Sequence, residues 1–234
     1  MLTIEQIDRN LLNIDTDQLK DNFIAIAVQV DSHGIGYHSG LIISVNKEVS
    51  LFHYTGKDVM IDAPPKKGDW VLCKELDIID EQFSLGFLAH CELIAENSNP
   101  TYGFMFENSY WKEGVYFSEA EVNEITTCVG FCISTISGYL LEDHLYLKLD
   151  EWNIDSTESF RQKYSSFYDR TLDKMKLDHP DKYDHFVLNY VKRITPSELA
   201  ASAFIDKTPI DKEQINSILE KVEQSISNKR LNSA

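Results

Sequence analysis

Apolar positions along this chain fall into strand-like runs in its first two thirds and helix-like spacings in the remainder. The run Phe23 to Val30 is too apolar for a half-wet strand and too β-branched for a helix, which predicts a buried strand. A loop follows at Asp31-Ser32-His33-Gly34-Ile35-Gly36, then strands over 40–45 and 49–54 separated only by Asn46-Lys47-Glu48. That spacing predicts an antiparallel hairpin. Further strands are expected over 70–73 and 145–149, the second closing the sheet. Near-helical spacing over 3–23, broken at Asp15-Thr16-Asp17, predicts short leading helices, and the apolar positions between Glu81 and Glu96 predict another helix.

Ser118-Glu119-Ala120-Glu121 has the form of a capping box, so a helix is expected to open there. The β-branched run Ile125-Thr126-Thr127 is a poor helix former, and a threonine caps well. The pattern therefore predicts an interruption, then a new helix over 129–141. From about Asp155 the composition turns charged and helical, with segments near 156–176, 181–192, 196–204 and 211–226. Thr195-Pro196 and Thr208-Pro209 are expected to mark helix starts there. The predicted fold class is α+β, with a small antiparallel sheet of about five strands packed on the helix that begins at Cys128. The expected partition is a helical lead over 1–22, an α+β domain over 23–154 and a helical extension over 155–234.

Composition narrows the function classes. With 234 residues, 43% of them hydrophobic and 11% aromatic, the chain can bury an ordinary globular core. Its 38 acidic and 22 basic residues give a net charge of -16, which repels nucleic-acid phosphates and anionic membrane surfaces. A basic protein partner suits that charge better. The first eight residues lack the basic start and apolar run of a signal peptide, and no apolar run is long enough to span a membrane. A cytoplasmic location is the expectation. Four cysteines, at 73, 91, 128 and 132, do not make a disulfide framework in so long a chain.

One of those cysteines stands where chemistry is favoured. Cys128 opens a predicted helix, and the unpaired N–H groups of a helix start favour the thiolate. A base is then required. His38 lies on a strand after the glycine-punctuated loop, and His53 ends the next strand, so His38 is the candidate base and His53 the group that orients its ring. His33, inside the loop, is the alternative base. Cys132 lies one turn further along an apolar helix and reads as core, as do Cys73 and Cys91. Neither Cys-x-x-Cys nor His-x-x-x-His spacing is present, so no metal and no cofactor is expected.

The segment His38-Ser39-Gly40-Leu41-Ile42-Ile43, the polar His53 ending the adjoining strand and the later Cys128 at a helix start together resemble the circularly permuted papain-like cysteine hydrolases. That superfamily includes NlpC-type peptidases and lecithin retinol acyltransferase-like enzymes. Thr195-Pro196-Ser197-Glu198-Leu199 resembles a segment found after the nucleophile helix in some bacterial members. The resemblance implies a permuted papain-like fold and a thiol-dependent acyl-transfer enzyme: an amidase, peptidase or acyltransferase acting on an acyl, peptide or amide substrate. It implies Cys128 as nucleophile, His38 as base and His53 as the third polar residue. The alternative is a non-catalytic protein-interaction module on the same scaffold.

Overall fold

The computed structural model describes residues 2–63, 71–103, 108–118, 124–140, 145–152, 169, 172–189 and 192–231. Its centre is a six-stranded antiparallel sheet built from β1 (Leu12–Asn13), β2 (Phe23–Val30), β3 (Gly36–Val45), β4 (Glu48–Tyr54), β5 (Val59–Asp62) and β6 (Val71–Glu75). The strand order is β1-β6-β2-β3-β4-β5. β2 lies between β6 and β3, which explains why its sequence is apolar on both faces. Ile24, Ile26 and Val28 point into the larger core, and Phe23, Ala25 and Ala27 into a smaller cluster on the other face. β3 and β4 form the expected hairpin, with Leu41 opposite Phe52 and Val45 opposite Glu48. Its turn residues Asn46 and Lys47 both have positive φ, the conformation that two-residue hairpin turns require.

The larger core is covered by helices. α1 (Ile4–Asn10), α2 (Ser84–Asn97) and α3 (Cys128–Tyr139) contribute to it, residues 172–178 (α4) and Tyr183–Asn189 (α5) form two further helices, and α6 (Pro196–Ser202) and α7 (Lys212–Leu231) add to the cover. Thr195 caps α6 as the Thr-Pro pair predicts, its side chain accepting from the Glu198 N–H while the Glu198 carboxylate accepts from the Thr195 N–H. Ile7 and Leu11 from the N-terminal part, Phe131 from α3, and Leu199, Ile215 and Val222 from the C-terminal helices belong to one continuous cluster. No helix among the described residues is long and apolar enough to cross a membrane.

Several elements differ from the sequence expectation. The sheet has six strands rather than about five, because Leu12–Asn13 and Val59–Asp62 add short edges that a period-two pattern is too brief to reveal. The leading stretch is one helix and then edge strand β1, not two helices. The strand expected over 145–149 does not form. Tyr146 and Leu147 are held by Ile210 through a single parallel bridge, the Ile210 N–H donating to the Tyr146 carbonyl and the Lys148 N–H to the Ile210 carbonyl. Leu149–Trp152 is a short 3-10 helix. Both edges of the sheet are already taken by β1 and β5, so this segment satisfies its backbone elsewhere. The helix expected from the Ser118 capping box falls on residues 119–123, outside the described residues, as does most of the 156–176 segment.

Candidate active site

The backbone before Cys128 is extended: Ile125–Thr126 pairs in parallel with Thr101–Tyr102, and Thr127 has φ -99° and ψ 175°. The Thr127 side chain then accepts from the Gly130 N–H at 3.2 Å, and the helix starts at Cys128. The β-branched run thus does both things its chemistry favours, pairing as a strand and capping a helix. α3 docks on β4 through Phe131, whose ring centroid lies 5.1 Å from that of Phe52 and 5.9 Å from that of Tyr54. This fixes Cys128 at the sheet, near the point where the β3–β4 pairing ends at Leu41 and Phe52.

Cys128 and His38 line the same cavity, of about 460 Å³, with Tyr37, Tyr54, Tyr102 and Lys57 among the other walls. They reach it from opposite directions. Alternation along β3 places His38, Gly40 and Ile42 on the face of the smaller cluster, while Leu41 and the α3 helix belong to the larger one. Among the described residues no hydrogen bond joins the thiol to the imidazole; His38 is engaged instead with His53.

That engagement extends into a chain of two side-chain hydrogen bonds. His38 Nε2 lies 2.9 Å from His53 Nδ1, and His53 Nε2 lies 2.9 Å from Asp62 Oδ2. An ionised carboxylate can only accept, so His53 donates from Nε2 and its Nδ1 carries a lone pair. His38 must then donate from Nε2, which leaves its Nδ1 as the free acceptor. Gly40 makes room for this chain: a Cβ there would stand 2.8 Å from Leu51 Cδ1, 3.0 Å from the Phe52 carbonyl oxygen and 3.1 Å from His53 Cβ. The glycine of the His-Ser-Gly segment therefore has a packing reason beside the histidine pair.

Burial governs the protonation states. His38 is pushed down to about 4, by desolvation first and by the neighbouring His53 second, so it is neutral near pH 7. Cys128 is only 8% exposed, and burial raises its thiol above the ordinary value. The N–H groups of Ser39, Val129 and Cys128 itself pull in the opposite direction without overcoming burial. The expectation that the helix start would yield a resting thiolate is thus outweighed by desolvation, and the resting pair is a neutral thiol beside a neutral imidazole. Tyr54, in the cavity wall, is pushed up to about 12 by burial and by the charge of Glu124, so it remains a phenol.

Cys128, His38 and His53 are the residues that the sequence singles out. The structure brings His38 and His53 into direct contact and places Cys128 in the wall of the same cavity as His38. Asp62 was missed, since it precedes Ala63-Pro64-Pro65 and reads as loop. The signal was the turn Thr55-Gly56-Lys57-Asp58, with Gly56 at φ +91°, which returns the chain as β5 beside β4. His33 lies on the surface in the Asp31 loop, its backbone N–H donating to Asp31 Oδ1. Cys132, Cys73 and Cys91 are buried, all at 1% exposure or less. Among the described residues no group of three or more His, Cys, Asp and Glu side chains is placed to hold a metal ion.

Compared with known proteins, the chain matches no family model, no curated protein and no solved structure.

Proposed function

We propose that this protein is a thiol-dependent acyl-transfer enzyme of permuted papain-like type, with Cys128 as nucleophile, His38 as base, and His53 and Asp62 as positioning residues. The observation that carries the proposal is the convergence on one cavity of a helix-start cysteine and a histidine whose tautomer is set by a His-Asp chain. The C-terminal Thr-Pro-Ser-Glu-Leu segment adds support. It forms the start of α6, and Ser197 Oγ and Pro196 Cβ lie beside Gly36, at the beginning of the strand that bears His38.

The chemistry follows from the protonation states. As Cys128 Sγ attacks the carbonyl carbon of an ester or amide, its proton passes to His38 Nδ1 and the carbonyl π electrons move onto oxygen. The developing oxyanion is stabilised by the Cys128 N–H, one of the unpaired donors at the start of α3. Collapse expels the alcohol or amine, which leaves with the proton from His38 and deposits a thioester on Cys128. Water or another nucleophile then takes the acyl group, with His38 again moving the proton. Substrate binding that expels water and draws the imidazole toward sulfur would bring the two groups into contact, a closure common between resting and substrate-bound sites.

A second reading, a non-catalytic interaction module on the same scaffold, draws on the raised thiol and on the lack, among the described residues, of a hydrogen bond between it and His38. Incubation with a p-nitrophenyl acyl ester separates the two. An enzyme releases a burst of nitrophenol and gains one acyl mass at Cys128; an interaction module does neither above the rate of an ordinary buried thiol.

A further inference from the structure

A second cavity, of about 740 Å³, lies at the other end of α3 from Cys128. At about 1.5 Å rise per residue, the eleven positions from Cys128 to Tyr139 separate the two ends of this helix by roughly 16 Å. The walls of the second cavity come from the Phe83, Gly86, Ala89, His90 and Leu93 face of α2 and its entry turn, and from Tyr139 of α3. The volume falls within the range of small-molecule sites, and the lining is mostly apolar with few polar groups, the usual make-up of such a site.

Three features show specific construction. Phe83 and Leu93 stand 46% and 42% exposed, so large apolar side chains flank the opening without a protein partner covering them. Tyr139 lies across α2, its ring centroid 4.9 Å from that of Phe87 and 5.5 Å from that of His90, and its hydroxyl donates to the Phe83 carbonyl oxygen. Gly86 lets the hydroxyl come this close, since a Cβ there would stand 2.7 Å from the Tyr139 hydroxyl oxygen. Finally, His90 Nε2 lies 3.2 Å from the Thr135 carbonyl oxygen. A carbonyl only accepts, so Nε2 carries the proton and Nδ1 is an acceptor, and among the described residues it has no partner.

We propose that this cavity binds a small, neutral aromatic molecule carrying one N–H or O–H donor, the ring lying between Phe83, Leu93 and Tyr139 and the donor reaching His90 Nδ1. An anion is disfavoured by the rim, where Asp80 and Glu113 outnumber Lys112, and the mostly apolar walls disfavour burying any unpaired charge. The imidazole is buried and its basicity lowered, so it meets the ligand as a neutral acceptor. This site is independent of the thiol chemistry proposed for Cys128.

The test uses indole and its isostere benzothiophene, which has the same ring outline without the N–H, titrated into the full chain and followed by protein NMR shifts. Indole is expected to bind saturably, and benzothiophene about tenfold more weakly, the effect of leaving one buried acceptor unpaired. His90→Phe should abolish the difference between the two compounds. Ala89→Trp, a change at an exposed helix position, should fill the cavity and remove binding of both while leaving the fold intact. Absence of saturable indole binding, equal affinity of the two compounds for the unaltered chain, or undiminished binding to Ala89→Trp would each overturn the proposal.

Discussion

His38 Nε2 stands 2.9 Å from His53 Nδ1, and this contact determines which nitrogen of His38 is left to take a proton. Asp62 sets the direction of the chain from its far end, 2.9 Å from His53 Nε2. In Asp62→Asn the amide can donate to Nε2, so the His53 proton moves to Nδ1 and His38 is forced to hold its proton on Nδ1. The base is then lost without removal of either histidine. Acylation of Cys128 should fall on the order of 10²-fold or more, within the range of a lost general base, and Asp62→Glu should recover part of it. Equal acylation rates in Asp62→Asn and the unaltered protein would show that the chain has no part in activating the thiol.

Stability should depend on His38 in acid. Its pKa is near 6.5 in the unfolded chain and about 4 in the folded one, so between those values the unfolded state binds the proton that the folded state refuses. The stability contributed by the neutral buried ring is fully present above about pH 6.5 and is lost as pH falls toward 4; it amounts to at most about 3 kcal/mol. Urea midpoints at pH 7 and pH 4.5 should therefore differ less in His38→Gln than in the unaltered protein. An identical pH dependence in the two would place His38 in a more solvated setting than the structure does.

Thiol reactivity should follow the same order as burial. Cys128, at 8% exposure, should be alkylated by iodoacetamide before Cys73, Cys91 or Cys132 in the native protein. Its rate should be low at pH 6 and should climb through pH 9, because burial holds the thiol protonated. Rapid labelling at pH 6 would show a resting thiolate and contradict the neutral pair.

The elements legible in the sequence were those carried by local chemistry. Thr127 announces its cap, the Asn46-Lys47-Glu48 turn announces its hairpin, and the β-branched Phe23–Val30 run announces a strand buried on both faces. What escaped depends on pairings between distant residues. Leu12 and Asn13 become a strand only because Cys73 and Leu72 lie opposite them, and Asp62 meets His53 only through the β4–β5 register that sets Asp62 opposite Leu51. Burial is equally non-local. The helix start at Cys128 suggested a thiolate, but the desolvation that reverses this comes from the sheet and its surrounding helices.

The C-terminal helices should be integral to stability. Leu199 has 0% exposure and shares a core cluster with Ile26 and Phe131. Leu199→Ala should cost about 2–5 kcal/mol in urea denaturation, as a fully buried leucine does when a cavity is left. A cost below about 1 kcal/mol would mean that α6 contributes little to the core in solution. Cys132→Ala, by contrast, removes only one sulfur and should cost about 1–2 kcal/mol with acylation of Cys128 intact.

The central proposal is that Cys128 forms a thioester with His38 as its base, and trapping that thioester tests it most directly. After brief exposure to a p-nitrophenyl acyl ester and acid quench, intact-mass analysis should show one added acyl group, localised by peptide mapping to Cys128. The adduct should be absent in Cys128→Ala, present in Cys132→Ala, and formed on the order of 10²–10⁴-fold more slowly in His38→Ala. The double variant Cys128→Ala/His38→Ala should lose no more turnover than Cys128→Ala alone, since the two residues act as a unit. An acyl group found on Cys132 or elsewhere, or acylation of Cys128 at the same rate without His38, would contradict the account.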